Sequence, residues 1–184
     1  YGVVQDMTER KTAEKTIIES ERKYRQLFER NLAGVYQTNI EGIIINCNDA
    51  FANMIGYTSS TDLIGKNADM LYFNKTDRRK FIRKLKKEGF LKNYESILKH
   101  KNNLEVYTIE NIVLQKSTYS KESIIEGVML DVTKSKMAEK KLEKSYQANI
   151  QLTERLSSIL NTVPAHIALL NEEGVIIEVN EAWK

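Results

Sequence analysis

One cysteine, Cys47, leaves this 184-residue chain without an internal disulfide framework, which fits a reducing compartment. No apolar run approaches the length needed to cross a bilayer, and no signal-peptide pattern opens the sequence. The expectation is a cytoplasmic chain, with any membrane attachment of the parent protein carried by regions outside this segment. An excess of one charge is missing too. Lys+Arg 28 against Asp+Glu 25 leave +3, and the signs alternate through most of the chain. With no base-reading motif beside them, these charges give no reason to expect nucleic acid as a partner. No nucleophile–base pair, phosphate loop or metal-ligand spacing is present, so no catalytic or metal residue is assigned and the segment is not read as an enzyme. What remains, 41% hydrophobic and 29% charged residues, suits one real core plus exposed helical linkers.

The chain repeats itself. Gly2-Val3-Val4-Gln5-Asp6-Met7-Thr8 reappears as Gly127-Val128-Met129-Leu130-Asp131-Val132-Thr133, an offset of 125 residues. The stretch from Asn39 through Gly42 to Phe51 reappears from Asn171 through Gly174 to Trp183, an offset of 132. Two colinear matches at nearly one period indicate a tandem array. Residues 1–7 are then expected as the last strand of a preceding repeat, 8–32 as a helical linker and 33–133 as a complete domain. Residues 134–162 follow as a second helical linker, and 163–184 as the start of a following repeat. The seven-residue difference between the offsets is one heptad, the insertion that keeps a coiled-coil seam in register. Ala13, Ile17, Ser20, Tyr24 and Leu27 alternate at four- and three-residue steps, as do Leu142, Tyr146, Asn149, Thr153, Leu156 and Leu160. Two readings stand: helices that pair in parallel with a second copy, or amphipathic helices lying on their own domains.

Within the complete repeat, residues 34–39 and 43–47 read as a hairpin around Glu41-Gly42. Asn48 caps a helix over 49–55 that stops at Gly56, and residues 62–65 form a short turn. Asp77 caps a helix over 78–88 ended by Gly89. Strands follow over 92–100, 104–116 and 124–132, with Asn102-Asn103 turning the first pair. The order predicts an α+β fold, a five-stranded antiparallel sheet with its helices on one face.

Asn48-Asp49-Ala50-Phe51, Ile55-Gly56-Tyr57, Asp62-Leu63-Ile64-Gly65-Lys66, Tyr94-Glu95, Gly127 and Asp131-Val132-Thr133, taken in order, resemble a PAS domain with its C-terminal PAC motif. The resemblance implies a half-barrel sheet cupping a small pocket and a homodimer formed through flanking helices. It also implies a regulatory role: a signal passed through the helical linkers to neighbouring PAS repeats and a downstream output domain. A histidine kinase of a two-component phosphorelay is the expected output. The alternatives are a dimerisation scaffold without ligand, or PAS input to a cyclic-dinucleotide enzyme.

The light-sensing branch of the family places its photoactive cysteine after a Gly-basic-Asn triplet, but here Gly65-Lys66-Asn67 is followed by Ala68. The arginine that would pair with a flavin phosphate is Asp69, of the wrong charge. Leu98, Thr108 and Met129 stand where polar groups would face the flavin ring. The helix over 78–88 has no axial histidine for haem. These departures argue against flavin and haem, and the ligand is otherwise unassigned. His100, before a turn, is expected to face solvent, and Cys47 to be a buried, inert thiol.

The resemblance implies an inward-facing set: Tyr36, Thr38, Ile44, Leu98, Thr108, Glu110, Ile112 and Met129 from the sheet, with Leu71 and Leu85 from the helices. Glu110 departs from the family, which is usually apolar there. Either a bulge or a rim position lets its carboxylate reach water, or it meets a cationic or hydrogen-bonding small-molecule ligand. The cations Arg78, Arg79, Lys80, Arg83, Lys84, Lys86 and Lys87 around Phe81, Ile82 and Leu85 read as a solvated face over the core. Asp131 and Thr133, and their counterparts Asp6 and Thr8, supply acceptors where a linker helix begins. They are either plain caps or the signal-transfer point between sheet and linker. His166 lacks the adjacent carboxylate and helical setting of a phosphoacceptor.

Overall fold

A computed structural model describes residues 2–116 and 123–184, with side chains over 10–115 and 123–184. The chain forms two compact units, residues 1–134 and 135–184. In the first, helix α1 (Gly2–Glu29) leads into β1 (Gly34–Asn39), β2 (Ile44–Cys47) and α2 (Asp49–Met54). Two 3-10 turns, Ser60–Asp62 and Ala68–Leu71, precede α3 (Lys75–Glu88), β3 (Phe90–Lys99), β4 (Glu105–Lys116) and β5 (Ser123–Asp131). The strands form one antiparallel sheet in the order β2-β1-β5-β4-β3. Both β1 and β4 thus lie beside β5, the strand that leads to α4 (Thr133–Thr162).

Three elements depart from expectation. Residues 2–7 are the first turns of α1, not a strand. A segment with no neighbouring strand leaves its backbone groups unpaired, whereas a helix satisfies them internally. Helix α3 starts at Lys75, and Asp77 sits inside its first turn, where its charge meets the positive end of the helix. The turn over Ala68–Leu71 has no counterpart in the sequence reading; Asn67 caps it by accepting the amide of Asp69 at 2.8 Å.

One face of the sheet and the buried sides of α2 and α3 make the core. Strand β1 alternates buried and half-buried residues, so Gly34, Tyr36 and Thr38 face inward. On α3 the buried stripe is Arg78, Phe81 and Leu85, at the three- and four-residue steps of a helical face. Asn48 ties the entrance together. Its side-chain oxygen accepts the amides of Val35 and Phe51, each at 2.9 Å, and its amide donates to the carbonyls of Phe28 and Ala33, each at 3.0 Å. The end of α1, β1 and α2 are thereby held by one fully buried side chain.

In the second unit, α4 leads to a hairpin of β6 (Ala168–Leu170) and β7 (Ile176–Val179). Asn180 repeats the role of Asn48 there. Its oxygen accepts the amide of Ile167, and its amide donates to Leu160 and Ala165. Each of these positions lies 132 residues after its counterpart, the offset that separates Gly42 from Gly174. The apolar stripes of the long helices stay open: Ile17, Tyr24 and Leu27 on α1, and Leu142, Tyr146, Leu156 and Leu160 on α4, are all exposed.

Candidate functional site around Glu110

Glu110 points inward from β4 and is only 5% exposed. The rim reading is therefore wrong. The register shift nearby belongs to β3, between Leu91 and Tyr94, and leaves β4 regular at Glu110. Three hydroxyls serve the carboxylate: Tyr36 Oη at 2.7 Å, Ser96 Oγ at 2.7 Å and Thr108 Oγ1 at 3.2 Å. The Ser96 and Thr108 hydroxyls are themselves 2.7 Å apart. Burial pushes the Glu110 carboxyl above its ordinary range, and the three hydroxyls pull it partly back. Tyr36 and Tyr72 are raised too, first by burial and then by the charge of Glu110.

Glu110 borders a small cavity of about 20 Å³. Of the expected inward set, Tyr36, Thr38, Leu71, Leu98 and Glu110 line it; Ile44, Leu85, Thr108, Ile112 and Met129 are buried in the surrounding core. The sequence reading missed Phe51, Ala68, Tyr72, Phe81, Ile125 and Arg78. Arg78 is the main correction, because it leaves the solvated face to which it was assigned. Its side chain is 9% exposed, its Nε donates to Asp69 Oδ1 at 2.7 Å, and its guanidinium sits 5.7 Å from the Tyr72 ring centre. The signal was present in its spacing, three residues before Phe81 and seven before Leu85. Arg78 Nη2 is buried and has no hydrogen-bond partner among the described residues. It fits against the β1–β2 turn because Gly42 carries no side chain there: a Cβ would fall 2.4 Å from Nη2. On the outer side, Arg78 and Asp69 also border an open groove of about 670 Å³ with Lys75, Arg79, Ile82, Arg83 and Lys86.

The exit from the sheet is tied to β4. The Val132 amide donates to the Tyr107 carbonyl at 2.8 Å, and the Tyr107 amide donates to Thr133 Oγ1 at 3.0 Å. Asp131 Oδ1 accepts the Thr133 amide at 2.8 Å. So Asp131 serves the helix start as expected, whereas the Thr133 oxygen serves a strand amide instead. Asp6 and Thr8 lie in the first turns of α1, and their side chains fall outside the described residues. Cys47 is buried, with its thiol pushed up to about 11 mainly by burial. His100 is half-buried and not fully open to solvent, because its ring packs against Gly56. Among the described residues, no group of three metal-capable side chains occurs, and no helix is long and apolar enough to cross a membrane.

A PAS domain family model matches residues 32–134, and a second PAS domain model matches residues 154–184. The sensor histidine kinase TmoS of Ectopseudomonas mendocina is 25% identical over 152 residues, which take in 81% of this chain but 15% of that protein. Among solved structures, a PAS domain from Colwellia psychrerythraea superposes with a TM-score of 0.54 at 21% identity, over 61% of this chain and 97% of that one. The PAS domain of an HTR-like protein from Haloarcula marismortui gives 0.53 at 16% identity, over 66% and 98%. At such identities the likeness is one of fold. With an antiparallel sheet cupping a small buried cavity, and a family match over more than half its length, the chain belongs to the PAS domain family.

Proposed function

We propose that this PAS sensory domain reads the state of the cavity around Glu110 and passes it through β4, β5 and α4 to an output domain. The observation that carries this reading is the pair of hydrogen bonds at Tyr107, whose carbonyl accepts the Val132 amide and whose amide donates to Thr133 Oγ1. The strand bearing Glu110 is thereby fastened to the first turn of α4, so a shift of one displaces the other. Glu110 is also paired with Met129, two residues before Asp131. A histidine kinase of a two-component phosphorelay is the output we favour, on the strength of the likeness to TmoS, with the segment in the cytoplasm. The exposed stripes of α1 and α4 support homodimerisation through the linker helices, because exposed apolar stripes of this spacing gain by pairing. Neighbouring PAS units are the other partners of this arrangement.

The experiment is to insert residues after Asn149 in the full parent protein and measure output. Seven residues preserve the helical seam, and three or four rotate it. Regulation should survive the first and lock on or off with the others; equal behaviour of all lengths makes the linker a passive tether. The small cavity favours one competing reading, a dimerisation scaffold that binds no ligand. A small molecule that shifts both melting temperature and output would eliminate it, since selective binding to the folded state must raise stability.

A further inference from the structure

We infer that the cavity between α3 and the sheet takes a small zwitterion, an α-amino acid with little or no side chain, its carboxylate meeting Arg78 and its ammonium meeting Glu110. This rests on the reading of the cavity as the sensing site and specifies its ligand. Two polar groups of opposite character border the same space. Arg78 has a buried donor, Nη2, without a partner among the described residues. An unpaired buried donor is costly, and Gly42 makes the room that keeps it there. A carboxylate offers about four acceptor directions, and three hydroxyls occupy Glu110, so one acceptor direction remains.

Charge selects between ligand classes. Arg78 is balanced by Asp69, so an ionised Glu110 is the uncompensated charge of the core. A plain carboxylate would bring a second negative charge beside it. A plain amine would serve Glu110 and leave Arg78 Nη2 unpaired. A molecule with both ends satisfies both groups and adds no net charge. Size limits it further. A cavity of about 20 Å³ accommodates one water molecule. Even the smallest amino acid must therefore push back α3 or the Ala68–Leu71 turn, which makes occupancy a structural event. Arg78 stands between this cavity and the outer groove, where Lys75, Arg79, Arg83 and Lys86 draw a carboxylate toward it.

The test is thermal unfolding of the whole chain with glycine, L-alanine or L-serine, against lactate and ethanolamine at the same concentration. At least one amino acid should raise the melting temperature by about 3 °C or more near saturation, while lactate and ethanolamine leave it unchanged. Glu110→Gln, which keeps the size and an acceptor oxygen, should abolish that rise. No rise with any of the three amino acids, an equal rise with lactate or ethanolamine, or a rise that persists in Glu110→Gln each overturns the inference. The ligand series on the unaltered chain decides even if the variant folds poorly. Output that depends on linker length without any amino-acid response would overturn this inference and leave the signalling reading standing. An amino-acid response with output indifferent to linker length would do the reverse.

Discussion

Tyr36 reaches Glu110 by laying its ring across Gly127. The two residues sit on β1 and β4 with β5 between them, and Tyr36 is paired directly with Gly127. A Cβ on Gly127 would lie 2.3 Å from Tyr36 Cζ, so only a glycine lets the hydroxyl cross to the carboxylate, which it meets at 2.7 Å. Gly127→Ala should therefore displace the ring and cost roughly 1–3 kcal/mol in urea unfolding. Tyr36→Phe, which removes only the hydroxyl, should cost a similar amount, about 1–3 kcal/mol. A change below about 0.5 kcal/mol in Gly127→Ala would mean that the ring has room to spare.

The buried carboxylate makes stability depend on pH. The folded-state pKa of Glu110 is raised above the ordinary 4.5, with burial the largest cause, so the folded chain holds this proton more tightly than the unfolded one. Its contribution is fully present below 4.5 and is lost as pH rises through the raised value. The melting temperature of the native chain should accordingly fall, relative to Glu110→Gln, as pH rises above 4.5. Parallel curves for the two proteins would show that Glu110 keeps an ordinary pKa. Glu110→Leu is a different matter. It strands the Tyr36 hydroxyl and should destabilise by about 1–3 kcal/mol, despite removing a buried charge.

Asn48 both donates and accepts, and an aspartate there can only accept. Asn48→Asp keeps the cap on α2 but loses both bonds to the carbonyls of Phe28 and Ala33, and it places a charge in the core. A loss of roughly 3 kcal/mol or more is expected in chemical denaturation. A near-neutral result would mean that the end of α1 is not held by this side chain.

Thr133 and Asp131 should separate in hydrogen exchange. Thr133→Val removes the acceptor of the Tyr107 amide and should speed exchange at Tyr107 on β4. Asp131→Ala removes the acceptor of the Thr133 amide and should speed exchange in the first turn of α4. Each change should cost about 1 kcal/mol locally. If both substitutions affect only α4, Thr133 is a plain cap and the tie to β4 carries no signal.

The purified chain should be colourless. Ala68 occupies the position of the photoactive cysteine, no histidine lies on α3, and a cavity of about 20 Å³ is far too small for a ring system as large as flavin or haem. A stoichiometric flavin or haem band in the absorption spectrum would contradict all three points.

Elements whose causes are local were legible in the residue string. The strand over Gly34–Asn39, the Asn48 cap, the left-handed Gly89 and the left-handed Asn103 follow from neighbouring residues and lie where they were expected. The period of 132 residues was legible as well, and it reappears as matched hydrogen bonds at Asn48 and Asn180. The family resemblance supplied the inward set, whose members are all buried, and its strand residues agree with the two faces that a pleated strand leaves each side chain. What each inward group meets was decided by tertiary structure. Tyr36 stands 74 residues before Glu110, and whether that carboxylate drowns, pairs or reaches water depends on which strand lies beside β5. Arg78 looked like one cation among seven on a basic helix. Packing alone turned it inward, because rotation of α3 to bury Phe81 and Leu85 carries Arg78 with them, and Asp69 from the preceding turn makes that burial tolerable.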